Sequence, residues 1–157
     1  GVLALQTAYL DKADADKYFP LFDKKYGASN QSGNSLTETF SIKGVINLWG
    51  GVFDLGIISP TEQTPVISFH GTKDNTVPYN TGTYAGCPNY LEVYGSKSIF
   101  DLLSSRKVAS VLHSAIDGGH GVYDNNYIAS NSYCFIKSII KNEKPIASFN
   151  NLIGNCD

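Results

Sequence analysis

Methionine is absent from the 157 residues, tryptophan occurs once, and charged residues make up only 17%. Twelve Lys and Arg stand against fourteen Asp and Glu, a net charge of −2. No basic tract exists, so neither nucleic acid nor an anionic membrane is implied as a partner. No apolar run approaches the length of a membrane span. There is no CxxC, and Cys87, Cys134 and Cys156 are spaced wrongly for a zinc finger or ribbon. Buried or free thiols are one reading of the three cysteines, and one disulfide plus a spare thiol is the other. No glycine-rich phosphate cradle appears, which counts against a flavodoxin-like domain. No secretory leader is visible. The chain opens on Gly1, and with no methionine the expectation is a processed or partial polypeptide.

What is present suits one globular domain. Hydrophobic residues reach 42% and aromatics 12%, enough for a real core. Asn, Ser, Gly and Tyr fill the place of charge. That lean, together with cysteine, points to a secreted or periplasmic protein, where disulfides persist. Asn30-Gln31-Ser32 fits the glycosylation triplet.

Along the chain, apolar blocks alternate with helical patterns. Residues 1–10 are apolar almost all round, which predicts a buried helix. Residues 11–27 predict a short helix broken at Pro20. Residues 28–39, rich in Ser, Asn, Gly and Thr, predict a loop. Strands are expected over 42–49, 65–70 and 108–116, stopped by Gly50-Gly51, Gly71 and Gly118-Gly119. Residues 54–64 and 81–89 read as loops. Ser96 is a candidate N-cap for a helix carrying Ile99, Leu102 and Leu103. A helix over 125–141 has Ala129, Tyr133, Ile136 and Ile140 on one apolar face, with Pro145 beyond its end. Residues 143–157 read as a tail. No linker divides the chain, so 1–157 is one domain unit. Strands that are short apolar blocks, separated by helices, imply an α/β architecture: a mostly parallel sheet flanked by helices.

Two stretches carry chemistry. His70-Gly71-Thr72-Lys73-Asp74-Asn75-Thr76-Val77-Pro78 follows the second strand. Asp117-Gly118-Gly119-His120-Gly121-Val122 follows the third. In open α/β sheets ligands bind beyond the carboxyl ends of strands. Asp74 and His120 therefore emerge on the same edge. The interval between them holds one helix and one strand, so their loops are expected to be neighbours. A carboxylate beside an imidazole is the acid–base pair of nucleophilic catalysis. The bland readings are a turn cap for Asp74 and a tight-turn residue for His120. Asp117 and Asp124 flank His120 and compete with Asp74 as its partner. His70 reads as a structural residue of its loop, and His113 as a packed or edge histidine. Trp49, Tyr123 and, more weakly, Tyr79 are candidates for a substrate pocket or for the core.

With those motifs in view, the chain resembles the C-terminal portion of an α/β-hydrolase of the carboxylesterase/lipase type, over roughly residues 1 to 142. In that fold the partners run Ser, acid, His along the chain. The resemblance implies that Asp74 is the triad acid and His120 the base. It implies a small-molecule ester substrate and neither cofactor nor metal. It also makes the opening helix the one behind the nucleophile elbow. The chain departs from the family in one respect: G-x-S-x-G is absent. Gly27-Ala28-Ser29 and Gly33-Asn34-Ser35 lack the second glycine and precede no helix. The nucleophile is therefore expected upstream of residue 1, in an N-terminal half that covers the first strand. The 157 residues alone are expected to be inactive and to associate. A prolyl-oligopeptidase-like peptidase is the alternative enzyme. A non-catalytic hydrolase-fold binding module is the alternative outside enzymes.

Overall fold

The computed structural model describes residues 1–27 and 40–151. The loop expected over 28–39, the two Ser candidates at 29 and 35, the glycosylation triplet and Cys156 lie outside the described residues. Elements in chain order are helices α1 (Val2–Tyr9), α2 (Lys12–Tyr18) and α3 (Phe22–Tyr26), then strands β1 (Val45–Leu48) and β2 (Gly51–Val52). Next come β3 (Val66–Gly71), β4 (Thr81–Thr83), β5 (Glu92–Gly95), α4 (Ser96–Ser105), β6 (Ser110–Ala115), α5 (Asn125–Ile140) and β7 (Ile146–Asn150). Single 3-10 turns lie at Leu55–Ile57 and Tyr84–Gly86.

The main sheet is four-stranded and wholly parallel, in the order β1-β3-β6-β7. Its central strand β3 is buried at every position. The strand period of two then sends alternate residues to opposite faces. Val66 joins Leu5, Val45, Ile99 and Leu103 on the side of α1 and α4. Ile67 and Phe69 join Val111 and Phe135 on the side of α5. Both faces are thus covered by helices, as an all-parallel sheet requires.

The structure corrects several expectations. The predicted tail holds a fourth parallel strand, β7, paired to β6 from Ser110↔Ile146 to Ser114↔Asn150. Its residues alternate between exposed and half-buried, so no apolar block marked it. The loop over 81–89 contains β4, which with β2 and β5 makes a small antiparallel sheet. Those strands are two to four residues long and carry no periodic signal. Helix α1 is buried on one face only: Leu5 and Tyr9 are inside, whereas Leu3 is 83% exposed. In α5 the predicted face is the outer one, with Tyr133, Ile136 and Ile140 exposed and Phe135 buried. That helix is apolar on two stripes. The sheet takes the stripe carrying Phe135, whose ring buries the larger area. Ser96 is not the N-cap of α4; Gly95 is, and Ser96 turns its hydroxyl inward.

Strand β1 forms one edge of the sheet, and no strand covers its outer side among the described residues. At its carboxyl end Gly1, the N-cap of α1, is wedged against Leu48 and Gly50. A Cβ on Gly1 would lie 2.4 Å from Leu48 O and 2.6 Å from the Gly50 Cα. Helix α1 therefore starts at the carboxyl edge of the sheet and runs back over it.

Among the described residues Cys87 is free and Cys134 is disulfide-bonded. No described helix is long and apolar enough to cross a membrane.

His113 sits at the centre of β6, 2% exposed, with its ring stacked between Phe69 and Phe149. Its Nδ1 lies 2.9 Å from Tyr127 Oη. Burial pushes its pKa down from 6.5 to about 4. The unfolded imidazole, near 6.5, takes up its proton first as pH falls. Stability from this residue is therefore complete above about pH 6.5 and is lost toward pH 4, by about 3 kcal/mol. Thermal melts at pH 7 and pH 4.5 check this: His113→Phe should narrow the gap in Tm between the two.

Candidate active site

The acid loop follows β3 and the histidine turn follows β6, and backbone contacts join them. Thr72 N donates to Ala115 O at 3.0 Å and Lys73 N to Gly118 O at 2.8 Å. Asp117 N donates to Thr72 Oγ1 at 2.9 Å. The exposed Lys73–Asp117 ion pair, at 2.8 Å, adds little in water. Gly71 makes the approach possible. A Cβ there would sit 2.3 Å from both Gly118 O and Gly119 O. Gly71→Ala must push the histidine turn away. We expect a loss of about 1–3 kcal/mol, read by denaturant unfolding, together with loss of the contact described next.

Asp74 and His120 meet. His120 Nδ1 lies 2.8 Å from Asp74 Oδ2. The carboxylate is an acceptor, so Nδ1 carries the hydrogen and Nε2 presents its lone pair. The Asp74 side chain is fully buried, while that of His120 is 43% exposed. Asp74 also ties its own loop, with Oδ1 accepting from Thr76 N at 2.7 Å and Val77 N at 3.0 Å. Asp74 thus caps its own turn, and the same carboxylate also accepts from His120. The turn bearing His120 is tight: Asp117, Gly121 and Tyr123 all have positive φ. Tyr123 is no glycine, so its φ of 71° is held by surrounding contacts.

The competing carboxylates are occupied elsewhere. Asp117 pairs with Lys73. Asp124 caps α5, accepting from Asn126 N and Tyr127 N. Trp49 lies against His120, ring centroids 5.7 Å apart, and donates Nε1–H to Val122 O at 3.1 Å. It therefore braces the histidine turn from β1. Tyr123 is a core residue, stacked on Tyr127 and edge-on to Phe69. Tyr79 places its hydroxyl 2.6 Å from Ser114 Oγ and its ring edge on His70.

Sequence reasoning missed the polar group beneath the acid loop. His70, Asn47, Ser96 and Ser68 are all buried. His70 Nδ1 is 2.7 Å from Ser96 Oγ, and Asn47 Nδ2 donates to the same oxygen at 2.9 Å. Burial lowers the His70 pKa below its usual value, so the ring is neutral. Nothing in spacing alone brings positions 47, 70 and 96 together.

The arrangement is a base with a buried electrostatic support. A proton taken at Nε2 turns His120 into an imidazolium that Asp74 stabilises. Among the described residues no Ser, Thr or Cys bonds to that Nε2, and none forms a metal-holding cluster with other His, Cys, Asp or Glu. A cavity of about 530 Å³, lined by Lys43, Gln63, Pro65, Val108 and Glu143, opens at the amino ends of the strands. It is remote from His120, and ligands of such sheets bind at the opposite, carboxyl edge.

No family model, curated protein or solved structure matches this chain. The functional reading therefore rests on the geometry and on the motifs that carry it.

Proposed function

We propose that this chain supplies the acid and base of a serine hydrolase of the α/β-hydrolase type acting on carboxylic esters. The observation that carries the reading is the Asp74–His120 contact. A buried carboxylate holds an imidazole at 2.8 Å while the free ring edge faces out at the carboxyl side of a parallel sheet. A nucleophilic Ser, lying upstream of residue 1, gives its proton to His120 Nε2 and attacks the acyl carbon. His120 then protonates the leaving alkoxide. The chain order acid then base, after successive strands, matches that of such enzymes. The disulfide at Cys134 favours an oxidising compartment, secreted or periplasmic.

The test uses the native polypeptide that carries this sequence. Treatment with a fluorophosphonate should give one adduct on a serine before residue 1, and hydrolysis of p-nitrophenyl acetate should fall in step. A peptide substrate cleaved in preference to the ester would move the reading to the peptidase class. The second reading is a non-catalytic binding module. Neither adduct nor turnover in the native polypeptide would establish it over the enzyme.

A further inference from the structure

His70 and Asp74 face each other with both side chains wholly buried. His70 Nε2 lies 3.0 Å from Val77 O and 3.2 Å from Asp74 Oδ2. Val77 O is an acceptor, so the neutral ring carries its hydrogen on Nε2 and donates it there, with Asp74 Oδ2 beside the same ring edge at ion-pair distance. Nδ1 is then the acceptor of the ring. Ser96 Oγ, 2.7 Å away, must donate to it. The Ser96 oxygen in turn accepts from Asn47 Nδ2. The Asn47 amide cannot be reversed, because its Oδ1 accepts from Gly50 N at 3.0 Å. The donors and acceptors along the line from Gly50 through Asn47, Ser96 and His70 to Val77 O are therefore assigned without conflict. Such closed buried networks hold one geometry.

Asp74 needs a brace on that side. Its Oδ1 is pinned by two backbone N–H groups, about which the carboxylate can still pivot. Oδ2 is the oxygen that meets His120, and His70 is the group that flanks it from the interior. Tyr79 walls the His70 ring, edge-on with centroids 5.7 Å apart. At its far end the line stops at Gly50, beside Trp49, whose ring lies on His120. The acid is thus flanked by a buried hydrogen-bonded line and the base by the half-buried Trp49 at the end of that line.

We propose that His70 is a positioning residue for the acid–base pair: its Nε2–H edge, fixed by donation to Val77 O, lies against Asp74 Oδ2 and holds it in line with His120 Nδ1. This rests on the hydrolase reading for its catalytic consequence, but not for its structural one. A purely structural His70 would only close the loop through Val77 O.

The experiment follows the His120 ring by proton–nitrogen NMR in the native polypeptide labelled at histidine, alongside ester turnover. The parent should show His120 as a single Nδ1–H tautomer with a slowly exchanging proton. In His70→Phe that proton should exchange faster and the ring should become a mixture of tautomers. Turnover number should fall about 10–100-fold with KM unchanged, by analogy with losing the partner that orients a metal-binding histidine. His70→Gln, which keeps an N–H on that side, should restore most of both. A folded His70→Phe whose His120 signals match the parent overturns the proposal. Should His70→Phe not fold, His70→Asn decides: its shorter amide leaves no N–H beside Asp74 Oδ2, so the His120 proton should exchange faster and its ring should become a mixture of tautomers. Unchanged His120 signals in His70→Asn overturn the proposal equally. A parent without ester turnover but with the His120 response in the variants would sink the hydrolase reading and keep the positioning role.

Discussion

Replacing His120 by Ala in the native polypeptide should lower kcat on an aryl ester by about 10⁴-fold or more, with the fold retained. The loss is large because the imidazole serves twice, as base for the attacking hydroxyl and as acid for the leaving group. The fold should persist because the His120 side chain is 43% exposed and its turn is anchored by other groups. Those anchors are Thr72, Lys73 and Trp49. Asp74→Asn should lose about as much activity, on the order of 10⁴-fold, by a different route. The amide presents a donor where Nδ1 needs an acceptor, so the ring turns its lone pair inward and Nε2 carries the hydrogen. Steady-state rates with far-UV circular dichroism check both. Near-normal turnover in folded His120→Ala would remove it as the base.

Phe69→Ala should cost about 3–5 kcal/mol of stability, the range for deleting a buried aromatic ring. Phe69 has no exposed surface. Its ring stacks on His113 at 4.9 Å and meets the edges of Tyr123 and Tyr127. Its carbonyl accepts from Trp49 N at 2.9 Å, so the strand it anchors also sets the loop that braces His120. The cavity would open between the sheet and α5, and neighbours of this size cannot collapse into it. Denaturant midpoints measure the loss. A change under about 1 kcal/mol would mean that the α5 face of the sheet repacks freely.

Several elements were legible because their signal is local. The blocks at 65–70 and 108–116 read as strands since β-branched runs closed by glycine have few other uses. They appear as Val66–Gly71 and Ser110–Ala115. Helix α5, Asn125–Ile140, matches the apolar period over 125–141 with the breaker at Pro145 beyond it. Which stripe of α5 turns inward was not legible, because Ile136 and Ile139 are equally apolar and only the sheet chooses between them. Strand β7 was hidden because it is exposed on alternate residues and needs the β6 edge to exist. Ser96 looked like a cap because serine usually caps; the buried His70 ring offered its hydroxyl a better partner.

By itself, then, the sequence determined that this is a parallel α/β protein with Asp74 and His120 beyond successive strands. Strand blocks, helical periods and punctuating glycines are properties of a few adjacent residues, and the carboxyl edge follows from strand direction. Only the tertiary structure decided which carboxylate His120 takes. Asp74, Asp117 and Asp124 are alike in composition and loop context. They differ in that Lys73 claims one, the α5 terminus claims another, and the third is buried where the ring can reach it. It likewise decided that His70 faces that carboxylate from behind, with Val77 O at one ring nitrogen and Ser96 Oγ at the other. Such pairings depend on distances between groups far apart in the chain, which side-chain packing sets and local sequence does not carry.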